Sequence, residues 1–266
     1  METIAKLRPA LKTHGGKAYL ARRIVRRLPD HRIYVEPYAG GLSVLLNKPA
    51  ASLEVAGDID PDLTGFYRIL TSRTEELLER IADLDYSLET FQQACDPSDD
   101  PLESAVRFLV RHRFSRGGLG RTFAWSERLR GGRPGDLNAW ETFKELLPRI
   151  ASRLIPVRWR TGEALEVIRE FDRPETLFYL DPPYVHETRT AKRAYDAYEM
   201  TLEDHGRLLE TIRQVRGRVA ISGYGNPLYD QALEGWDRHT FEMPNHSGQG
   251  RSKNRRTEVL WVKSRG

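Results

Sequence analysis

The sequence predicts an α/β protein built on a doubly wound sheet, and three observations carry that prediction. Seven short apolar runs of strand length are spaced along the chain, helical periodicity fills most intervals between them, and the most chemically distinctive residues fall just after strand candidates. In open sheets of this kind, ligands gather beyond the carboxyl ends of the strands, near the topological switch point. A chain of 266 residues with 39% hydrophobic content can bury one sizeable core and carry a smaller lobe.

Between Ile33 and Leu70 the pattern reads strand, glycine turn, helix, strand, helix. Ile33 to Glu36 is short and apolar, Gly40-Gly41 breaks the chain, Leu42 to Asn47 resumes in helical fashion, and Leu53 to Ala56 forms a second strand. From Thr74 to about His112, Leu77, Leu78, Ile81 and Leu84 recur at helical spacing, with a break at Asp96 to Pro101. The segment from Phe114 to Gly135 alternates glycines with arginines and aromatics and reads as loop or hairpin rather than core. A helix from about Asn138 to Arg153 then leads to a strand near Pro156 to Trp159, a helix from Gly162 to Glu170, and the strand Thr176 to Leu180. Thr201 to Val215 is a further helix, Arg218 to Ser222 a strand, and Trp236 to Glu242 and Thr257 to Lys263 are late strands joined by a polar loop.

Bulk composition mostly excludes. The single cysteine, Cys95, rules out an internal disulfide framework and a Cys-rich zinc cluster, and no metal is expected. No stretch approaches the roughly 20 apolar residues that span a bilayer, and the first residues lack the apolar core of a signal peptide, so a soluble cytoplasmic protein is expected. Forty-two basic residues against 38 acidic ones give a net charge of only +4. Its distribution is more informative. Between Ala105 and Arg133 lie eight arginines (107, 111, 113, 116, 121, 128, 130 and 133) and one acid, Glu127, a local charge of +7. Phe114, Phe123, Trp125 and flexible glycines are interleaved with them, a composition suited to phosphate contacts and groove insertion, although an ordinary basic surface reads the same way.

Asp181-Pro182-Pro183-Tyr184 follows the apolar run Leu177 to Leu180, which puts it at the carboxyl end of a buried strand. An aromatic amine is a poor nucleophile because its lone pair is delocalised into the ring. Two rigid acceptors at its protons draw that pair out, and the Asp181 carboxylate and the Pro182 carbonyl are assigned that role, with the Tyr184 ring stacking on an extruded base. Taken alone, the four residues read equally well as a proline turn ending a strand. A second constellation, Val35 to Ser43, sits where a strand turns toward a helix, and its Glu36, Pro37, Tyr38 and Gly40 are candidates for a nucleotide-type ligand. Its spacing is not Gly-x-Gly-x-x-Gly, which argues against a nicotinamide cofactor. Asp58 and Asp60 end the next strand about 20 residues on, where a carboxylate holds ribose hydroxyls, and Asp58 is the preferred of the two. Near the start, Lys12-Thr13-His14-Gly15-Gly16-Lys17 precedes an amphipathic helix bearing Arg22, Arg23, Arg26 and Arg27. It can meet an anion through free amides and an ammonium, but it lacks the spacing of a phosphate-binding loop.

Assembled, these residues resemble the Dam-type DNA adenine methyltransferases. The matching pieces are Gly15-Gly16-Lys17, Val35 to Asn47, Gly57 to Leu63, Gly117 to Arg121 and Asp181 to Tyr184, in the family's order and over nearly the whole chain. The resemblance implies a Rossmann-like seven-stranded sheet whose last strand is antiparallel, S-adenosylmethionine (AdoMet) as methyl donor, and an adenine flipped out of duplex DNA. It implies a catalytic domain formed by residues 1–72 and 154–266, and a mainly helical target-recognition insertion at 73–153. Cofactor contacts are expected at Thr13, Lys17, Glu36, Pro37, Tyr38, Gly40, Asp58, Asp60 and Asp181, and the adenine site at Asp181 to Tyr184. DNA contacts are expected from Arg116, Leu119, Arg121, Arg128, Arg130, Lys192, Lys253 and Arg255. Thr13 stands where members carry tryptophan and Asp60 where they carry asparagine, and the recognition segment matches only around Gly118-Leu119 and Arg121, so a target sequence does not transfer. A monomer is the expected state, with a companion restriction endonuclease left open. RNA adenine methylation and a non-catalytic DNA-binding module are the competing readings.

Overall fold

The computed structural model describes residues 7–13, 16–126, 128–130, 132–185, 198–243 and 256–263. In chain order its elements are α1 (Ala21–Val25), β1 (Ile33–Glu36), β2 (Leu53–Asp58), α2 (Pro61–Ser72), α3 (Thr74–Ala82), α4 (Leu88–Gln93), α5 (Pro101–Phe114), β3 (Leu129–Arg130), β4 (Arg133–Pro134), α6 (Gly135–Leu154), β5 (Arg158–Thr161), α7 (Ala164–Glu170), β6 (Thr176–Leu180), α8 (Leu202–Gln214), β7 (Arg218–Tyr224), α9 (Pro227–Ala232), β8 (Asp237–Met243) and β9 (Arg256–Lys263). Seven strands hydrogen-bond in the order β5-β2-β1-β6-β7-β9-β8. β1 runs parallel to β2 and β6, and β6 parallel to β7, whereas β9 lies antiparallel between β7 and β8. Chain order reverses between β1 and β6, so the switch point lies where Glu36 and Leu180 end their strands.

The chain falls into two compact units, Met1–Ala21 with Gly40–Pro49 and Asp60–Thr161, and Arg22–Ala39 with Ala50–Ile59 and Gly162–Gly266. The second unit carries β1, β2, β6, β7, β8 and β9. Because side chains alternate along a strand, each of its central strands has one apolar side and one side that carries its buried polar residues among smaller or apolar ones. Val35, Phe178, Leu180, Val219, Ile221, Val259 and Trp261 belong to one buried cluster with Ile168 of α7 and Leu208, Leu209 and Ile212 of α8. Each fully buried side chain of this size contributes roughly 1.5–3 kcal/mol by leaving water. The start of α8 is fixed at its first turn: Thr201 accepts from the Asp204 amide while the Asp204 carboxylate accepts from the Thr201 amide.

The first unit is helical. Asp60 and Asp100 cap α2 and α5, each followed by proline at the first helical position, as expected where a helix must start sharply. α2 packs on α5 and α3 on α6. The aromatics fill this core: Phe114 meets the Trp140 ring edge-on at 4.9 Å and Tyr86 at 4.2 Å, and Phe66 faces Phe108 at 6.1 Å.

Three sequence expectations change. Leu42 to Asn47 does not resume as an α-helix, because Leu42 adopts a left-handed backbone (φ +55°) and only a 3₁₀ turn forms at Leu45–Asn47. The segment beginning at Phe114 is not all loop: Phe114 and Ser115 are fully buried, and Gly118 (φ +73°) passes so close to Lys12 that a Cβ would lie 2.0 Å from its carbonyl oxygen. The expected hairpin is present as β3 and β4. The strand at Pro156 to Trp159 forms two residues later, as β5, whose half-exposed residues reflect its place at the sheet edge.

Candidate active site

The chemistry-bearing residues of the second unit share one side of the sheet. Strand register places Tyr179 beside Ala220, Ser222 beside Leu260 and Tyr224 beside Glu258, all on the side opposite the apolar cluster. Asp181 directly follows β6. Its Oδ1 accepts a 2.9 Å hydrogen bond from the Ser222 hydroxyl, which also lies 3.1 Å from the Tyr179 hydroxyl. On β1, the Tyr34 hydroxyl donates to Glu36 Oε2 at 2.7 Å, and both residues are buried. On β9, Glu258 accepts the Tyr184 hydroxyl at both carboxylate oxygens, 3.0 and 2.9 Å away. The Tyr184 ring meets that of Tyr224 at 4.5 Å and 67°, and Tyr224 borders a cavity of about 630 Å³.

These hydroxyls stay protonated far beyond neutral pH. Burial, then the Asp181 carboxylate, then Glu258, lift the Tyr184 phenol well above its ordinary range. Burial and then Glu36 do the same for Tyr34, and burial and then Asp181 for Tyr179. Tyr34 and Tyr184 are therefore fixed hydrogen-bond donors to the Glu36 and Glu258 carboxylates.

Of the predicted cofactor residues in this unit, Glu36 and Pro37 are buried at the end of β1, and Asp58 ends β2 half-buried. The Asp58 carbonyl accepts the Gly162 amide at 3.0 Å, and the Ala39 amide donates to Gly57 at 2.8 Å, which ties the turn after β1 to the end of β2. Burial, with Glu163 and Asp58 nearby, raises the Tyr38 phenol. Parallel neighbours lie about 4.8 Å apart. Glu36, Asp58 and Asp181 therefore line the ends of three consecutive strands, β2, β1 and β6, over roughly 10 Å.

In the first unit, Thr13 packs where a Cβ on Gly16 or Gly41 would fall, 2.8 and 3.0 Å from its hydroxyl. Lys17 is buried, and Gly40 (φ +43°) opens onto free space at its Cβ position while its carbonyl accepts the Tyr67 hydroxyl. Asp60 is committed locally, since its Oδ1 caps the Asp62 and Leu63 amides. Lys12 donates to the Arg113 carbonyl at 2.6 Å, and burial beside the Arg113 cation brings its ammonium down to about 8.

The eight arginines of the basic segment divide. Arg107 pairs with Glu103, Arg111 donates to the Ala94 carbonyl, and Arg113 lies half-buried over the Phe143 ring at 3.9 Å, its guanidinium lowered to about 10 by desolvation. These three build the lobe. Arg116, Arg121, Arg128 and Arg133 are exposed, in company with Leu119 (38% exposed), Trp125 (50%) and Leu129 (63%), while Arg130 lies in the β3–β4 hairpin. Phe114, read from composition as a groove-inserting aromatic, is instead a core residue, because its ring is enclosed by Tyr86 and Trp140. Lys192, Lys253 and Arg255 lie outside the described residues, as do His14, Gly15 and the segment 186–197.

Sequence reasoning missed Ser222, Tyr224 and Glu258. The usable signal was Glu258 itself, a lone acid within the apolar run Thr257 to Val262, placed by alternation on the side that Trp261 does not occupy. Among the described residues there is no group of three or more His, Cys, Asp or Glu able to hold a metal ion, and no helix long and apolar enough to cross a membrane.

Comparison with known proteins agrees with this geometry. The model of one family, D12 class N6 adenine-specific DNA methyltransferase, matches residues 14–240. The DNA adenine methylase of Escherichia coli K12 is 31% identical over 217 residues, 77% of this chain and 75% of that protein. The DNA adenine methylase of Vibrio cholerae is 27% identical over 231 residues, 82% of this chain and 80% of its own. A type II methyltransferase of Methanocaldococcus jannaschii is 23% identical over 262 residues, 87% of this chain and 90% of its own. With its match over most of its length and its Asp181 network at the switch point, the chain belongs to the D12 class of N6 adenine-specific DNA methyltransferases.

Proposed function

We propose that this DNA adenine methyltransferase moves the methyl group of AdoMet onto N6 of an adenine rotated out of duplex DNA, with Asp181 to Tyr184 as its adenine site. The observation that carries this reading is the Ser222 hydrogen bond to Asp181 Oδ1, which holds a carboxylate in one orientation at the switch point. The residues fit the donor: Glu36, Asp58 and Asp181 are three carboxylates at consecutive strand ends, a donor set suited to ribose hydroxyls and to a cationic ligand. When bound, AdoMet supplies an electrophilic methyl group, so that a C–S bond breaks as the N6–C bond forms.

The chain's own residues manage the amine. The Asp181 carboxylate and the Pro182 carbonyl accept its two hydrogens and draw the nitrogen lone pair out of the ring, and Asp181 takes or passes on the proton that N6 sheds. The Tyr184 ring supplies the stacking surface, which offsets part of the few kcal/mol that unstacking a base costs. Asp58 takes the ribose, while Asp60 serves as a helix cap. Thr13, Lys17, Glu36, Pro37, Tyr38 and Gly40 complete the donor contacts on the strength of the family's motif order. Residues 73–153 form the target-recognition segment, where exposed Arg116, Arg121 and Arg128 meet phosphates or base edges, Leu119 presents an apolar wedge, and Arg130 adds charge on its hairpin. The protein acts as a cytoplasmic monomer on duplex DNA.

The test is transfer of labelled methyl from AdoMet to unmodified duplex DNA made by amplification, with RNA and protein as parallel acceptors, followed by nucleoside analysis. N6-methyladenine from duplex DNA alone is the expected product. Label appearing only in RNA or protein overturns the substrate assignment, and an absence of AdoMet binding by calorimetry with DNA affinity retained overturns the catalytic one.

A further inference from the structure

The last strand of the sheet contributes more than closure. β9 enters antiparallel beside β7, and the register that pairs Glu258 with Tyr224 brings a carboxylate onto the polar side, where it is only 8% exposed. Removing a carboxylate from water is costly unless hydrogen bonds replace its hydration. Both Glu258 oxygens lie within 3.0 Å of the Tyr184 hydroxyl. Hydrogen bonds to an ionised acceptor are about twice as strong as neutral ones.

From these contacts we infer that Glu258 is a positioning residue for the reaction, acting through Tyr184 to fix the plane on which the target base stacks. The inference rests on the reading of Tyr184 as the stacking surface. A tyrosine ring has two loose degrees of freedom, the tilt of its Cβ-to-hydroxyl axis and rotation about that axis, the second being a broad torsion. The hydroxyl lies on the axis, so its bond to Glu258 fixes the tilt. Rotation is opposed by Tyr224, whose ring meets Tyr184 edge-on at 4.5 Å. The two contacts act on different freedoms, and both partners sit in register on neighbouring strands. Asp181, at the other end of the tetrapeptide, is held separately through Ser222 of β7. The tetrapeptide is thus braced at both ends by the strands beyond β6, and β9 supplies the brace at the stacking end.

The experiment is a double-mutant cycle with E258A, Tyr184→Phe and the double variant, with E258Q as the conservative replacement, read as kcat and KM on amplified, unmodified duplex DNA. E258A and Tyr184→Phe are each expected to lower kcat by about 10- to 100-fold, with KM for DNA changed less than about threefold. The double variant should lose little more than the worse single one, because both remove the same contact. E258Q, which keeps an acceptor oxygen in the same volume, should recover most of kcat and folds even if E258A does not. Equal losses from E258A in the Tyr184 and Tyr184→Phe backgrounds overturn the inference, as does E258Q no more active than E258A, or a loss confined to KM. A wild-type enzyme that makes no N6-methyladenine overturns the underlying reading instead, so the two failures are distinguishable.

Discussion

The two sides of the central strands share one backbone and obey different rules. On one side, Val35, Phe178, Leu180, Val219 and Ile221 are buried by contact alone, and α7 and α8 cover them. On the other, Tyr34 and Glu36, Tyr179 and Ser222, and Tyr184 and Glu258 are joined by hydrogen bonds that specify angle as well as distance. Burial of apolar area is non-directional, so the first side sets how firmly the strands stay in place. Directional bonds to carboxylates set where acceptors and ring planes lie. Stability and chemistry are therefore separable by residue parity along a single strand: Leu180 belongs to the fold and Asp181, its neighbour, to the reaction.

The largest expected effect breaks the polar side alone. Asp181→Ala should lower kcat by at least about 10²-fold and as much as about 10⁴-fold, the range for loss of a positioned acid–base or electrostatic group. Its melting temperature should stay within a few degrees of wild type, as expected for a half-exposed residue outside the core. A strongly destabilised Asp181→Ala protein would merge the two sides. Phe178→Ala, three residues away on the apolar side, should do the reverse. Denaturant unfolding should show a loss of about 3–5 kcal/mol, while the fraction still folded keeps kcat within a few fold. Smaller still is Ser222→Ala, which removes the hydroxyl that links Asp181 and Tyr179. About a tenfold fall in kcat with about 1 kcal/mol of lost stability is expected, and unchanged kcat would show that Asp181 needs no such tether.

How legible each side was follows from the same physics. The apolar runs Leu177 to Leu180 and Arg218 to Ser222 announce strands because non-directional burial selects by composition, and composition is visible in one dimension. The tetrapeptide was legible only in context, because an acid, two prolines and a tyrosine directly follow an apolar run of strand length. Ser222 and Glu258 were not, since their roles depend on register between β6, β7 and β9, and Glu258 lies 74 residues from the Tyr184 that it holds. The arginines of the basic segment show the limit of charge counting. A local charge of +7 pools all eight, yet Arg107, Arg111 and Arg113, none of them among the expected DNA contacts, are spent on Glu103, Ala94 and Phe143 within the lobe itself. Membership of α5, which composition ignores, separates these three from Arg116, Arg121, Arg128 and Arg133, which follow the helix and are exposed.

The smallest effect probes the apolar side through the start of α8. Asp204 closes the cap with Thr201 and pairs with Arg207, and the Thr201 hydroxyl and amide, followed by Arg207, hold its carboxyl down at about 2. A carboxyl held below its unfolded value contributes stability that is fully present above that value, near 4, and is lost as pH falls toward about 2. The group is solvent-accessible, so screening limits the contribution to about 1 kcal/mol or less. Other carboxylates titrate in this range, and only a comparison isolates the cap: the fall in unfolding free energy from pH 4 to pH 2 should be shallower in Asp204→Asn than in wild type. Equal slopes would mean that α8 is held on the sheet by Leu208, Leu209 and Ile212 without help from its first turn.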